Sequence, residues 1–337
     1  MTRRVRTELR IRATMSRVVP LIAIAVFLVS IGVVLMLTGR GGEEPPRSTR
    51  ASPVPSGLAC AARPSTCGFP DESNTGVTMV EPLDRVPEDV SRGRGWHWDE
   101  RGWVTVDGQG ALLEGLEIPW TVDVVADGVV IRDVRITVGG ETFGIAIRRA
   151  NGTTIEDVEI GPPDSSPRLM VGIKDIYGDA QGTAVRRSEI TRTSTGVQLS
   201  AGEISDNYIH SMAMSPGDHV NGVTSNGSRS PLRIVHNTVL NSIGQTDAIG
   251  LFQDFGIEAN REITDNLLAG GGYVVYGGAN PDGEPTSGIR IVGNRFARLY
   301  FDAGGALGPV AAFDGSGTGN VWRDNVWDDT GEVIPAP

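Results

Sequence analysis

The sequence is poor in several residue types, and each shortage excludes something. Among 337 residues there are 2 cysteines, 4 histidines and 6% aromatics. So few cysteines exclude a disulfide-dense scaffold and allow one bridge at most. Lys174 is the only lysine, and the rest of the 30 basic residues are arginine. We read that as the codon bias of a GC-rich genome. No segment of the body carries the 3.6-residue apolar period of a helix, which argues against helical folds. What is abundant is glycine, at 45 residues. It follows no strict triplet, so it marks turns and not collagen. With 21% charged and 39% hydrophobic residues, the balance is that of a globular protein.

The net charge of −11 hides a split. Residues 1–40 carry Arg3, Arg4, Arg6, Arg10, Arg12, Arg17 and Arg40 against Glu8, a net +6, which leaves −17 for residues 41–337. A body that acidic argues against nucleic acid, whose phosphates it would repel. It equally suits plain solubility.

Residues 18–38, VVPLIAIAVFLVSIGVVLMLT, contain no charge. A helix of this length rises roughly 30 Å, the thickness of a bilayer's hydrocarbon core. The run ends in Gly39-Arg40-Gly41-Gly42, a poor cleavage site, so an uncleaved anchor is expected over a cleaved signal. Six arginines precede it, which places residues 1–17 in the cytoplasm as a basic tail and the rest outside the cell. Residues 39–70 read as a Pro/Ser-rich tether. Cys60 and Cys67 within it are expected to form a local disulfide, since a zinc site would need two more ligands nearby. Residues 71–110 form an N-terminal cap, to which Trp96-His97-Trp98 belongs, and residues 111–330 the main domain.

That domain repeats. Apolar, two variable residues, Asn, one variable residue, apolar recurs around Asn207, Asn237, Asn266, Asn294 and Asn325, at spacings of 30, 29, 28 and 31. Weaker copies carry Val134, Val158 and Ser188 in the asparagine's place. A straight strand cannot turn offsets 0, 3 and 5 to one face, so the chain must bend within the motif. Asparagine tolerates the left-handed conformation of a sharp corner, and stacked asparagines can hydrogen-bond as a ladder. A second series, Gly144-Ile145, Gly172-Ile173, Gly196-Val197, Gly222-Val223 and Gly250-Leu251, marks another strand per coil. The fold class is therefore all-β: a right-handed parallel β-helix of about 8–9 coils after a single transmembrane helix.

These motifs resemble the pectin-lyase-like superfamily of right-handed parallel β-helices. More narrowly, the chain is similar to β-helix proteins exported by actinobacteria. The residues that carry this are Cys67-Gly68-Phe69-Pro70-Asp71-Glu72-Ser73-Asn74-Thr75-Gly76, Asp218-His219-Val220-Asn221-Gly222-Val223, residues 245–254 and Gly270-Gly271-Gly272-Tyr273. The resemblance covers roughly residues 67–327. It implies fold and lineage; the superfamily holds lyases, hydrolases, epimerases and members without activity. The arginine and calcium-carboxylate motifs of pectate lyases and the aspartate set of polygalacturonases are absent.

Polar residues gather on a few adjacent coils. Lys174, Gln198 and Thr224 share an offset after the glycine and should stack into one outward row. Asn221, Gln253 and Asp254 offer further polar contacts to a sugar chain, and Tyr273 and Tyr276 could stack on a ring. For β-elimination from a uronic acid, His219 or Lys174 could be the base. Ca2+ could then be held by Asp218, Asp247 and Asp254. For hydrolysis, Asp218 and Asp247 could supply the two carboxylates. His210, His219 and His236 lie within 27 residues and could bind zinc. Each of these polar residues could equally be a corner cap. Two functions follow: a surface-anchored, monomeric lyase or hydrolase of acidic glycans, or a non-catalytic β-helix that binds glycan or cell-wall polymer or acts as a spacer.

Overall fold

The computed structural model describes residues 59–79 and 82–337. The anchor expected over 18–38 lies outside the described residues, among which no helix is long and apolar enough to cross a membrane. The described chain is a parallel β-solenoid of about nine turns. One sheet has 16 strands and contains the asparagine corner; a second has 11 strands.

Every coil pairs in register with the next. In the first sheet Ile204, Ile234, Ile263, Ile291 and Trp322 form one column. After the corner Ile190, Ile209, Val239, Leu268 and Phe296 form another. In the second sheet Val122, Ile145, Ile173, Val197, Val223, Ile249 and Val275 run as a third. The β-branched and aromatic residues of these columns are almost all solvent-free and make one core. Full burial of each contributes about 1.5–3 kcal/mol, which explains why the repeat tolerates variable loops but not variable strand positions.

At the asparagine corner the left-handed residue is not the asparagine, as the sequence suggested, but the one before it. Asp206, His236, Asp265 and Asp324 have φ of 58°, 55°, 53° and 57°, and Gly293 has 71°. The asparagine's work is internal. Asn207 donates its backbone N–H and its Nδ2 to Asn237 Oδ1 at 3.0 and 2.9 Å, and the pattern repeats to Asn266, Asn294 and Asn325. Each Nδ2 from Asn237 onward also donates to a carbonyl of the preceding coil, as to Ile204 and Ile234. Ser188 tops the ladder: its N–H donates to Asn207 Oδ1 at 3.0 Å. Above it, Val134 and Val158 take the asparagine's place, and Asp133 and Asp157 before them keep the left-handed conformation, φ 50° and 54°, within the strands Val130–Thr137 and Thr154–Gly161.

The glycine series also has a physical cause. A Cβ on Gly144, Gly172, Gly196 or Gly222 would meet Ile160, Ile190, Ile209 or Val239 at 2.2–2.9 Å. These glycines turn inward, against β-branched residues of the facing sheet. Gly250, the fifth member expected from sequence, is out of place. It pairs with Thr224, so Ala248 holds the inward position.

The chain enters as a strap. Cys60 and Cys67 are disulfide-bonded. This segment is docked on the body: Cys60, Ala61 and Phe69 pack with Leu240, Leu267, Ala269 and Ala297. Ala61 N–H donates to Asp328 at the last coil, Phe69 stacks on His236 at 5.3 Å, Gly76 N–H donates to Arg187 O, and Thr78 bonds Asp133 near the first coils. The strap thus runs the length of the stack from bottom to top. Strands Arg92–Gly93, Trp96–Asp99 and Trp103–Val106 then pair antiparallel over the open end of the second sheet, with His97 exposed on this cap.

Candidate functional site

The second sheet carries the site. Because Gly222 and Val223 both turn inward, and likewise Ala248 and Ile249, the outward positions on each strand lie three residues apart. They form two rows. Lys174, Gln198, Thr224, Gly250 and Tyr276 pair in register as one, as expected for its first three members. Thr195, Asn221 and Asp247 pair as the other. Phe143 and Val171 continue the second row above Thr195, and Lys174 Nζ of the first row lies 5.7 Å from the Phe143 ring centroid, so the rows share a face. Tyr273 meets Tyr276 edge-on at 5.4 Å. Half-burial holds the Lys174 ammonium below the usual lysine range, against the opposing charge of Asp175.

Asp247 is the unusual group. It is 0% exposed, and neither carboxyl oxygen has a hydrogen-bond partner. Its backbone is pinned from below, where Asn241 Nδ2 donates to Asp247 O at 2.8 Å and Gln245 braces residues 218–220. The carboxyl lies over Gly250. A Cβ there would stand 2.3 Å from Asp247 Oδ2 and 2.4 Å from Phe252 Cε2. The space a side chain at residue 250 would fill is shared by the Asp247 carboxyl and the Phe252 ring. Phe252 packs at 5.4 Å on Tyr276. Burial without a compensating partner raises the Asp247 pKa well above the aspartate range. Burial, then the nearby Asp247 charge, pushes the Tyr276 hydroxyl up to about 12. One coil earlier, Asn221 Oδ1 is also buried without a partner.

Asp218 sits elsewhere and is fully engaged. Arg168, 2% exposed, reaches Asp218 Oδ2 with Nε at 2.8 Å and Oδ1 with Nη2 at 3.0 Å. Ser194 Oγ and Ser215 N–H donate to Oδ2 at 2.6 and 2.8 Å. Burial opposes the Asp218 charge, but these donors outweigh it and hold the carboxyl below the usual range. The two aspartates therefore differ in environment: donors favour the charge on Asp218, whereas burial without a partner disfavours it on Asp247, so they do not make a hydrolytic pair of ready carboxylates. His219 follows on the same loop and is exposed.

The other sequence candidates divide. Gln253 staples two loops, its Nε2 donating to Gly278 O and Glu284 O at 2.8 and 3.1 Å. Asp254 is exposed beside it. Among the described residues no group of three His, Cys, Asp or Glu side chains could hold a metal ion. The calcium set Asp218, Asp247 and Asp254 is thus not assembled, because Asp218 is taken by Arg168 and Asp247 is fully buried. The histidine set fails as well. His210 stacks on Tyr208 at 4.0 Å and contacts Glu189, and His236 contacts Asp206 at the corner. Sequence reasoning missed Arg168 and Phe252. Nothing local marks an arginine as the partner of an aspartate 50 residues away, and Phe252 is legible only once Gly250 is known to face outward.

No family model matches the chain, and no curated protein is similar to it.

Proposed function

We propose that this protein is a non-catalytic, glycan-binding β-helix that lays one polymer chain along the outer face of its second sheet. The observation that carries the reading is the pair of in-register rows, Thr195-Asn221-Asp247 and Lys174-Gln198-Thr224-Gly250-Tyr276. Such rows offer donors, acceptors and aromatic edges at the roughly 4.8 Å strand spacing, a repeat that suits an extended polymer. Lyase or hydrolase action finds less support, since Asp218 is committed to Arg168 and Asp247 is covered. We further propose a right-handed coil, membership of the pectin-lyase-like superfamily, export from an actinobacterial cell, and anchorage through residues 18–38. The repeat and the sequence motifs support these.

Affinity electrophoresis of the full-length protein through gels containing neutral or acidic polysaccharides tests the reading. Retardation by at least one glycan, with no unsaturated uronate released on incubation, is the expected result. Release of product would replace the reading with the catalytic one, and free migration through every gel would end it.

A further inference from the structure

Resting on that reading, the geometry points to Asp247 and Asn221 as the polar floor of a closed subsite for one neutral, hydroxyl-bearing sugar ring, with Phe252 as its lid. Three independent observations meet here. The first is unmet bonding: Asp247 Oδ1 and Oδ2 and Asn221 Oδ1 are buried polar atoms without partners, on neighbouring strands and in register. Leaving such atoms unpaired costs about 1–3 kcal/mol each, which a ligand hydroxyl would recover. The second is space. Gly250 withholds a side chain from the outward row, and the vacated volume is filled by the edge of an aromatic ring, that of Phe252. The third is the wall. Tyr276 and Tyr273 stand at the next coil, so a ring that displaced Phe252 would keep an aromatic surface beside it.

The chemistry selects a neutral ring. No cation stands near Asp247 on its rows: Lys174 is three coils away against Phe143, and the Arg168 guanidinium is held by Asp218, Glu141 and Gly140 O. A uronate carboxylate would enter without a counter-charge and beside a burial that disfavours any charge. A hydroxyl meets no such cost; it donates to Asn221 Oδ1 and exchanges a hydrogen bond with the Asp247 carboxyl. The lid follows from the same packing. Phe252 is the first residue after strand Asp247–Leu251, anchored by its N–H to Ser225 O at 2.8 Å, so its side chain can swing without unpairing the sheet. The closed form competes with ligand, and its removal raises the binding-competent fraction.

The test uses titration calorimetry and stopped-flow association on the full-length protein. The probes are neutral hexaoses of glucose, mannose and xylose, and a galacturonate hexaose. Wild type is expected to bind a neutral hexaose and not the galacturonate. D247A should weaken that binding at least about tenfold, and D247N, which keeps a neutral polar group of the same shape, should lose less. F252A should bind faster, by about tenfold, where a mere contact residue would bind more weakly. F252L guards against misfolding, and carbodiimide labelling read by mass spectrometry should modify Asp247 in F252A but not in wild type. Neutral binding unchanged in D247A, slower binding in both Phe252 variants, or preference for galacturonate would overturn the subsite while leaving glycan binding on the face intact. Failure of every hexaose to bind wild type would overturn both.

Discussion

Asn237 Oδ1 accepts two hydrogen bonds from a single neighbour, the backbone N–H and the Nδ2 of Asn207, at 3.0 and 2.9 Å. Each rung therefore satisfies a buried backbone donor that the corner has taken out of the sheet ladder. Removing an interior rung leaves the backbone N–H above it unpaired, takes one of several acceptors from the amide above, and breaks the chain of amides below. N266A is expected to destabilise the solenoid by about 3 kcal/mol in urea unfolding, and S188A, at the top of the ladder, by about 1 kcal/mol or less. Equal costs at the two positions would contradict the ladder's role.

This corner also measures what the sequence makes legible. The spacing of Asn207 to Asn325 located the corner, the coil number and the strands on either side, because a buried amide must recur at one geometric position. It did not reveal which residue takes the left-handed conformation, since Asp206, His236, Asp265 and Gly293 look like variable residues in the motif. The glycine series failed at Gly250 for a related reason. A glycine that avoids the facing sheet and one that leaves room for a ring outside are the same letter. At the site, the row Lys174-Gln198-Thr224 could be read from offsets, whereas the state of Asp218 and Asp247 depended on partners brought from other coils.

The Arg168–Asp218 pair should behave as a buried ion pair. R168M leaves a largely buried carboxylate without its counter-charge and is expected to cost about 3 kcal/mol at neutral pH. Because the folded pKa of Asp218 is lowered, its contribution is present above the ordinary aspartate value of 3.8 and is lost as pH falls through the lower folded value. Unfolding midpoints of D218N and wild type should converge in that acid range and separate above it.

Asp247 has the opposite sign. Its folded pKa is raised, so its contribution is fully present below pH 3.8 and is lost as pH rises through the folded value. Wild type should lose stability on going from acid toward alkaline pH relative to D247N. A parallel pH profile for the two proteins would show that Asp247 is not held neutral by burial.

The strap should be removable in parts. Reduction of Cys60–Cys67, or C60S with C67S, is expected to raise amide exchange at residues 59–76 while leaving the core columns protected. Its lower anchor is Asp328, which accepts from Ala61 N–H at 2.9 Å and from Arg295 Nε at 2.7 Å, so D328N should give the same exchange pattern. Exchange that rises equally in the coils would make the strap part of the core's cooperative unit.

The claim that the outer face of the second sheet is the glycan-binding surface is tested most directly by hydrogen–deuterium exchange of the full-length protein with and without its best-retained polysaccharide. Protection is predicted in strands Thr193–Gln198, Asn221–Ser225, Asp247–Leu251 and Tyr273–Gly277 and in residues 252–258 beside them. Protection confined to the first sheet, the strap or the cap would contradict the account.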